Sequence, residues 1–215
     1  MKQIVVGVSG ATGIVLAYKL VNFLTQTENY VHLVMSRAAC KTAQYELGDE
    51  YASPSLWKKR FTPFQQERLH CHSIHDIGSP IASGTYPTDG MVIVPCSVAT
   101  VGALAAGLAD NLLRRAADVT IKERRPLVLL VRETPLSPIH LENLLKLSRC
   151  GATIAPPLPA WYHRPQSMDE MENHIVGRIL AAFGIPNTLE KQWEGIFPAP
   201  VVNSFEGKSL ISHAL

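Results

Sequence analysis

The chain has 215 residues with a formal net charge of +2 at pH 7, and 47% of its residues are hydrophobic. That length and apolar content suffice for one sizeable core, so we expect a single domain over residues 1–193. The 20 basic residues are spread along the sequence except in the run "KERR", which argues against nucleic acid as a partner and favours small anions.

In the first half of the sequence, strand patterns alternate with helix patterns. The run "QIVVGVS" is continuously apolar and β-branched, as in a strand buried on both faces, and "GATG" turns the chain into the helical pattern of "IVLAYKLVNFLTQ". "YVHLVMS" predicts a second strand and "RAACKTAQYEL" a second helix. Residues 48–66 contain two prolines and several charges, so we expect a surface excursion there, followed by a short strand at "RLHCHSI".

The second half continues this alternation. "MVIVPC" predicts a buried strand, and a long Ala-rich helical segment is expected from Ser97 to Glu123. "PLVLLVR" predicts the next strand, "SPIHLENLLKLSRCG" a helix and "ATIAPP" the last strand. The final helix, "SMDEMENHIVGRILAAFG", has Ser167 as its N-cap and Gly184 just past its end. Residues 194–215 are expected to form a loop-like tail that packs on a neighbouring subunit or stays mobile.

Alternating strands and helices predict an α/β protein with a doubly wound, mostly parallel sheet. Ligands of such sheets bind beyond the carboxyl ends of the strands. Four stretches follow predicted strands and are expected to meet at that edge: "SGATG", "SRAA", "PCSVAT" and "RETPLSP". The sequence therefore predicts one ligand crevice there.

Two of these stretches indicate anion binding at helix N-termini. In "GVSGATG" the small residues let backbone N–H groups approach a phosphate, and the following helix adds its positive end. The spacing is not that of a dinucleotide site, and Ser36 stands near the place of the ribose-binding acid, so a mononucleotide suits better than NAD. Ser97 in "PCSVAT" adds a hydroxyl, although an ordinary N-cap is the preferred interpretation of that serine alone.

Arg132 and Glu133 close a strand that is predicted to be buried, at the ligand edge, where an unpaired charge would be costly. We therefore interpret both as site residues. His70, His72 and His75 lack carboxylate or cysteine neighbours at zinc-like spacing, so no metal is expected. The four cysteines show no CxxC spacing and no segment reaches membrane-spanning length, which favours a soluble, cytoplasmic protein with reduced thiols.

Long stretches of the sequence resemble one family. These are "GVSGATG", "VMSRAA", "PCSVAT", the run from "ADNLLRRAADVTIKERRPLVLLVRETPLSP" to "PAWYHRPQS", and the closing "RILAAFGIP". Over about residues 2–193 the chain resembles the flavin prenyltransferases. The resemblance implies a Rossmann-like or flavodoxin-like fold, a dodecamer with sites at subunit contacts, and transfer of a dimethylallyl group from dimethylallyl monophosphate to reduced FMN. The product, prenylated FMN, would serve a partner decarboxylase of the ubiquinone-pathway or phenolic-acid type.

The same resemblance implies the site residues. The FMN contacts would be Gly10, Ala11, Thr12, Ser36, Ser97, Val98, Ala99, Thr100 and Arg132. Lys122, Tyr162 and Arg178 would bind the phosphate of dimethylallyl monophosphate. Glu46 and Glu133 would be the catalytic carboxylates, Lys122 would assist the departing phosphate, and Trp193 would close over the site.

Two alternative functions stay open at this point. An FMN-dependent cysteine-type decarboxylase of the same superfamily would have asparagine in the turn, as in Pro-Ala-Ser-Ala-Asn-Thr, where this chain has Ala99. A non-catalytic FMN-binding carrier would have no use for a second phosphate site at Lys122, Tyr162 and Arg178. Both features favour the prenyltransferase.

Overall fold

Continuous runs of valine, isoleucine and leucine form the central strands. In the computed structural model, which describes residues 1–193 and 195, the strands are β1 (Gln3–Val8), β2 (Tyr30–Met35), β3 (Leu69–His72), β4 (Gly90–Cys96), β5 (Leu127–Val131) and β6 (Thr153–Ile154). They form one parallel sheet in the order β3-β2-β1-β4-β5-β6. The predicted doubly wound α/β fold is confirmed, and the strand order is that of the Rossmann fold.

Helices cover both faces of the sheet. They are α1 (Ile14–Gln26), α2 (Arg37–Leu47), α3 (Pro54–Lys59), α4 (Pro63–Arg68), α5 (Val98–Ala105), α6 (Leu112–Lys122), α7 (Pro138–Arg149) and α8 (Met168–Ala182). Side chains of β1 alternate between two cores: Val6 packs with α1 and α8, and Val5 packs with α5 and α6. None of the helices in this described part has the length and apolar character needed to cross a bilayer.

The segment 48–66, predicted to be a surface excursion, is instead a packed helical layer. It contains a 3-10 turn at Asp49–Tyr51 followed by α3 and α4, and the side chain of Trp57 is fully buried. Tyr18 of α1 packs edge-on to Trp57 with ring centroids 5.5 Å apart and stacks on Phe61 at 5.3 Å. The prediction was wrong because prolines and charges surround two aromatic residues whose partner lies far away in the sequence.

The helical segment predicted from Ser97 to Glu123 is two helices. After α5 ends, Gly107 adopts a left-handed φ of +72°, which ends the helical path. Asn111 then starts α6 as its N-cap, with its side-chain oxygen accepting a hydrogen bond from the Arg114 N–H at 3.1 Å. Gly107 and Asn111 are thus the sequence signals of this break, and the prediction missed them because the surrounding residues are rich in alanine.

The predicted tail, residues 194–215, lies outside the described residues except for Gly195. Its packing against a neighbouring subunit therefore stays a prediction.

The buried indole of Trp57 gives a test of the α3–α4 layer. Trp57→Ala should lower the free energy of unfolding by about 3–5 kcal/mol, because the change leaves a cavity beside α1. The control is Ile77→Ala, since that side chain is 64% exposed and its loss should change stability by less than about 0.5 kcal/mol. Denaturant titration of both variants measures the difference, and equal stability would show that the layer does not support α1.

Candidate functional site

The sheet has a crevice beyond the carboxyl ends of β1 and β4, where the strand order reverses. The chain leaves β1 through α1 toward β2, and leaves β4 through α5 and α6 toward β5 on the other side. Helices α1, α2 and α5 all begin at this edge, and none has an acidic residue in its first turn. The dipoles of these helices make the crevice favourable for anions. The four strand ends identified in the sequence lie together here, as predicted.

A buried serine joins the two central strand ends. Ser9, which has no exposed surface, donates from its hydroxyl to the Pro95 carbonyl at 3.0 Å and accepts from the Ser97 N–H at 2.7 Å. The Ser9 N–H donates to the same Pro95 carbonyl at 3.2 Å. Sequence reasoning missed Ser9, whose only signal is a hydroxyl at the end of an apolar strand run.

The turn before α1 lies directly against the start of α2. A Cβ atom at Gly10 would lie 2.4 Å from the Cβ of Ala38, so only glycine permits this approach. The approach places the backbone of Gly10, Ala11 and Thr12 beside Ser36, the N-cap of α2, whose side-chain oxygen accepts from the Ala39 N–H at 3.0 Å.

Glu46, on α2, occupies the N-terminus of α1. Its carboxylate accepts from the Gly13 N–H at 3.1 and 3.2 Å and from the Ile14 N–H at 2.9 Å. The sequence predicts that the turn before α1 and the positive end of this helix favour a phosphate, and in the free chain a carboxylate of the chain itself accepts from two amides at that end. The turn before α1 and the start of α5 therefore supply the remaining amides of the crevice.

The start of α5 forms the other wall of the crevice. Ser97 is the N-cap, with its hydroxyl oxygen accepting from the Thr100 N–H at 3.3 Å, so the simpler interpretation of this serine describes its local contact. Val98 and Ala99 form the first turn, and Ala99 is exposed. Cys96 just before it is fully buried, and burial raises the pKa of its thiol, which keeps it a packed neutral side chain.

One cavity brings together three of the predicted site residues. Thr12, Glu46 and Arg132 line this first cavity, which has a volume of about 330 Å³. Arg132 and Glu133 stand at the end of β5, as predicted, but both are exposed, so the argument from the cost of a buried charge is wrong. Arg132 forms no ion pair with any residue in the described part of the chain.

A second cavity, of about 320 Å³, lies beside the first, between β5, β6 and α8. Its polar lining consists of Tyr162, His174 and Arg178 together with Thr153, its other walls are apolar, and Ile175 lines both cavities. Tyr162 belongs to a 3-10 turn at Trp161–His163, and the ring of Trp193 packs edge-on against it at 5.3 Å.

Within the second cavity, Arg178 already has an anionic partner. Its guanidinium pairs with the carboxylate of Glu190 at 2.5 Å, and this hydrogen bond raises the pKa of Arg178. Asn187 holds the Glu190 backbone by accepting from its N–H at 3.0 Å. Gly177 permits the contact with α8, because a Cβ there would lie 2.5 Å from the Glu190 nitrogen. Sequence reasoning missed Glu190, which is twelve residues away from its partner.

A single chain does not bring Lys122 to this edge. Lys122 ends α6, which leads into the amino end of β5, and it pairs with Glu123. It lines a basic groove with Arg124 and Arg149 at the opposite edge of the sheet. This groove shares Thr153 and Ala182 with the second cavity, but neither Tyr162 nor Arg178 lines it.

The histidines near β3 form a hydrogen-bonded stack. His32 Nδ1 lies 2.9 Å from His72 Nε2, and His72 Nδ1 lies 2.9 Å from the hydroxyl of Ser79. Burial lowers the pKa of His32 to about 4, so its ring is neutral. Within residues 1–193 and 195, no group of three or more histidine, cysteine, aspartate or glutamate side chains could hold a metal ion.

Three comparisons with known proteins indicate the same family. The model of the family described as Flavoprotein matches residues 1–179. The flavin prenyltransferase UbiX of Chlamydia pneumoniae is 52% identical over 193 residues, which cover 90% of this chain and 98% of that protein. Among solved structures, AnUbiX (PadA1) in complex with FMN and dimethylallyl pyrophosphate matches with a TM-score of 0.80 and 40% identity, over 90% of this chain and 98% of that one.

A second solved structure is similar to this chain to the same extent. The dodecameric FMN-dependent UbiX-like decarboxylase from Escherichia coli O157:H7 matches with a TM-score of 0.80 and 39% identity, over 90% of this chain and 100% of that one. Because the family model spans most of the chain and a relative shares half of its residues over nearly its full length, the chain belongs to the flavoprotein family and, within it, to the flavin prenyltransferases.

Proposed function

We propose that the chain transfers a dimethylallyl group from dimethylallyl monophosphate to reduced FMN, forming prenylated FMN for a partner decarboxylase. The observation that carries the proposal is the pair of adjoining cavities, one with Arg132 and Glu46 and the other with Tyr162 and Arg178. Each cavity offers a cationic side chain, and Ile175 lies between them. Two anionic reactants could therefore meet along one wall of the crevice.

The residues of the crevice suit FMN. Amides of the turn at Gly10–Thr12 and of the α5 start, with the hydroxyls of Ser36 and Ser97, suit its phosphate, and Arg132 adds a cation without an internal partner. Reduced FMN, when bound, supplies a nucleophilic ring nitrogen and then an adjacent ring carbon for attachment of the dimethylallyl group. Related AnUbiX holds FMN together with dimethylallyl pyrophosphate, which supports placing both reactants here.

The protein groups then have separate tasks. Arg178 and Tyr162 bind the phosphate and stabilise its charge as the carbon–oxygen bond breaks. The ring of Trp193, packed against Tyr162, shields the allylic carbon from water and offers a π face to developing positive charge. Because Glu190 pairs with Arg178 in the chain alone, phosphate binding exchanges one anion for another at this guanidinium.

Two carboxylates are proposed to handle protons. Glu46 is held by the amides at the start of α1 and lines the first cavity, whereas Glu133 follows Arg132 at the end of β5. One protonates the phosphate or the flavin, and the other removes the proton that is lost as the new ring closes. Their separate positions fit separate proton transfers.

We also propose that Lys122 completes the phosphate site of a neighbouring subunit in a homo-oligomer, such as a dodecamer. Its place in the groove at the amino edge supports this arrangement, since that groove contains neither Tyr162 nor Arg178 of the same chain. A related protein is dodecameric. A symmetric assembly that apposes the two edges would give every site one lysine from outside.

The alternatives are less well supported. A carrier of FMN has no need of a second cavity with its own arginine, tyrosine and apolar walls. The cysteine-type decarboxylase would require asparagine at the exposed position of Ala99 in the α5 start. All four cysteines are unpaired, which supports a cytoplasmic location for the reaction.

Mass spectrometry of the flavin tests the function directly. Anaerobic incubation of the enzyme with reduced FMN and dimethylallyl monophosphate should add one five-carbon unit to the flavin and release inorganic phosphate in equal amount. Recovery of unmodified FMN, with no phosphate released, would favour a carrier.

Glu133→Gln tests the proton-transfer role. The change removes the titratable group at an exposed position, so the affinity for FMN should stay within about threefold while kcat falls by about 100-fold or more. Glu142→Gln, an exposed change on α7, is the matched control and should retain full activity. If Glu133→Gln turns over at the wild-type rate, Glu133 has no part in the mechanism.

Mixed oligomers test the placement of Lys122. Lys122→Ala and Arg178→Met should each be nearly inactive when pure, because each lacks one phosphate contact. Co-expression of the two variants should restore about a quarter of wild-type activity, since random assembly gives that share of sites two intact partners from different subunits. No restoration in verified mixed oligomers would show that both residues act from the same chain. Wild-type activity of pure Lys122→Ala would show that Lys122 is not in the site.

A further inference from the structure

Two histidines form the wall behind Tyr162. A third cavity, of about 210 Å³, lies on the far side of the loop, and it shares Ala160 and His174 with the second cavity. His163 follows Tyr162 in the 3-10 turn and lines only the third cavity. His174 therefore separates the two cavities and faces the same space as Arg178.

The aromatic rings of this wall form a continuous series of tilted and edge-on contacts. The ring centroids of Tyr162 and His163 are 4.1 Å apart, and those of His163 and His174 are 4.7 Å apart. With the edge-on contact of Trp193 on Tyr162, four rings lie in sequence from the crevice to α8. A shift of one ring would therefore move the ring of Tyr162.

Each histidine has a buried ring nitrogen with no partner. His163 Nε2 and His174 Nδ1 are buried and form no hydrogen bond within residues 1–193 and 195. Buried polar atoms in folded proteins almost always have a partner, so these two imidazoles are incompletely hydrogen-bonded in the free chain. His174 and Arg178 are four residues apart on α8, so they lie on one face of the helix and line the same cavity.

We propose that His174 is a fourth phosphate-binding residue, beside Tyr162, Arg178 and Lys122, which takes up a proton when the anion enters the second cavity, and that His163 is its positioning residue. The inference rests on the proposed function, because it assigns the phosphate to the cavity of Tyr162 and Arg178. The cation of the same chain in this cavity, the Arg178 guanidinium, stays charged at all relevant pH values. His174 would add a residue whose charge depends on pH.

The charges around His174 explain why the proton comes with the ligand. Burial lowers the pKa of His174, the ring of His163 lowers it further, and the cations Arg178 and Lys191 act in the same direction. Among these neighbours only Glu190 acts to raise it, and Glu190 is engaged with Arg178. Glu170 and Tyr162 complete the titratable groups of the two cavities.

His174 is therefore neutral at neutral pH in the free protein, and a dianion beside it would favour the imidazolium. Binding then takes up a proton, so the affinity for a doubly charged anion should rise as the pH falls. Above the pKa that His174 has in the complex, this contribution is absent. If the bound anion raises the pKa of His174 by about one, the affinity for that anion rises about tenfold at low pH.

The experiment uses the full-length protein and inorganic sulfate, which keeps its double negative charge over the whole pH range, as a competitive inhibitor of dimethylallyl monophosphate. For the wild type, the inhibition constant of sulfate should fall about tenfold between about pH 8 and pH 5.5. For His174→Phe, which retains a ring of similar size in the series of ring contacts, it should stay constant within about twofold. His174→Asn, polar but without titration, should give the same flat profile if the phenylalanine variant fails to fold.

Steady-state kinetics separate binding from folding. His174→Phe should raise the KM for dimethylallyl monophosphate about tenfold at about pH 6, with kcat and the affinity for FMN within about twofold of the wild type. His163→Phe should retain the pH dependence of sulfate inhibition, since His174 carries the proton. The control His75→Phe changes an exposed histidine in a loop between β3 and β4 and should behave as the wild type.

Three outcomes would overturn the proposal in distinguishable ways. If His174→Phe keeps the wild-type pH profile for sulfate, His174 does not take up the proton. If His163→Phe loses the profile and His174→Phe retains it, the roles of the two histidines are reversed. If Arg178→Met leaves both the KM and the sulfate inhibition unchanged, the phosphate does not bind in this cavity and the proposed site itself fails.

Discussion

The crevice depends on the buried contact between the ends of the two central strands. Ser9 follows the last residue of β1. Its hydroxyl and its N–H both donate to the Pro95 carbonyl, and the hydroxyl also accepts from the Ser97 N–H at the end of β4. Because Ser9 is fully buried, breaking this contact would leave polar atoms without partners, at a cost of about 1–3 kcal/mol each. The contact fixes the distance between the turn before α1 and the start of α5, and hence the width of the crevice.

Carboxylates of the chain itself fill two of the anion-binding positions around this crevice. Glu46 accepts from the amides at the start of α1, and Glu190 pairs with Arg178. In the free chain, Glu46 thus satisfies the amides at the positive end of α1, and Glu190 satisfies the guanidinium of Arg178. Without these partners, the unpaired groups would destabilise the fold. In the proposed function, binding of an anionic reactant at Arg178 exchanges one partner for another, and Asn187 connects the segment that carries Glu190 to α8.

The two edges of the sheet have different roles in one chain. The first cavity lies at the carboxyl edge, and the second extends along β5 and β6 as far as Val128 and Thr153. At the amino edge Arg125 binds the backbone carbonyls of Gly84 and Tyr86 at 2.7 and 2.9 Å and fixes the end of α6 that carries Lys122. The phenol of Tyr86 in turn contacts His32 at 3.2 Å. This attachment holds the end of α6 at the amino edge, which supports the proposal that Lys122 serves a neighbouring subunit's site.

The sequence alone determined the sheet, most of its helices and the edge at which the strand ends and the first cavity lie, because buried parallel strands and capped helices leave local patterns of apolar residues, glycine and serine. It also located Thr12, Glu46 and Arg132, which the fold brings to one cavity. Only the tertiary structure decided that residues 48–66 pack on α1, that Ser9 joins two strand ends, that Glu190 pairs with Arg178, and that Lys122 stands at the opposite edge. Each of these depends on a partner distant in sequence or on the direction of a helix across the sheet, and local patterns contain no information on either.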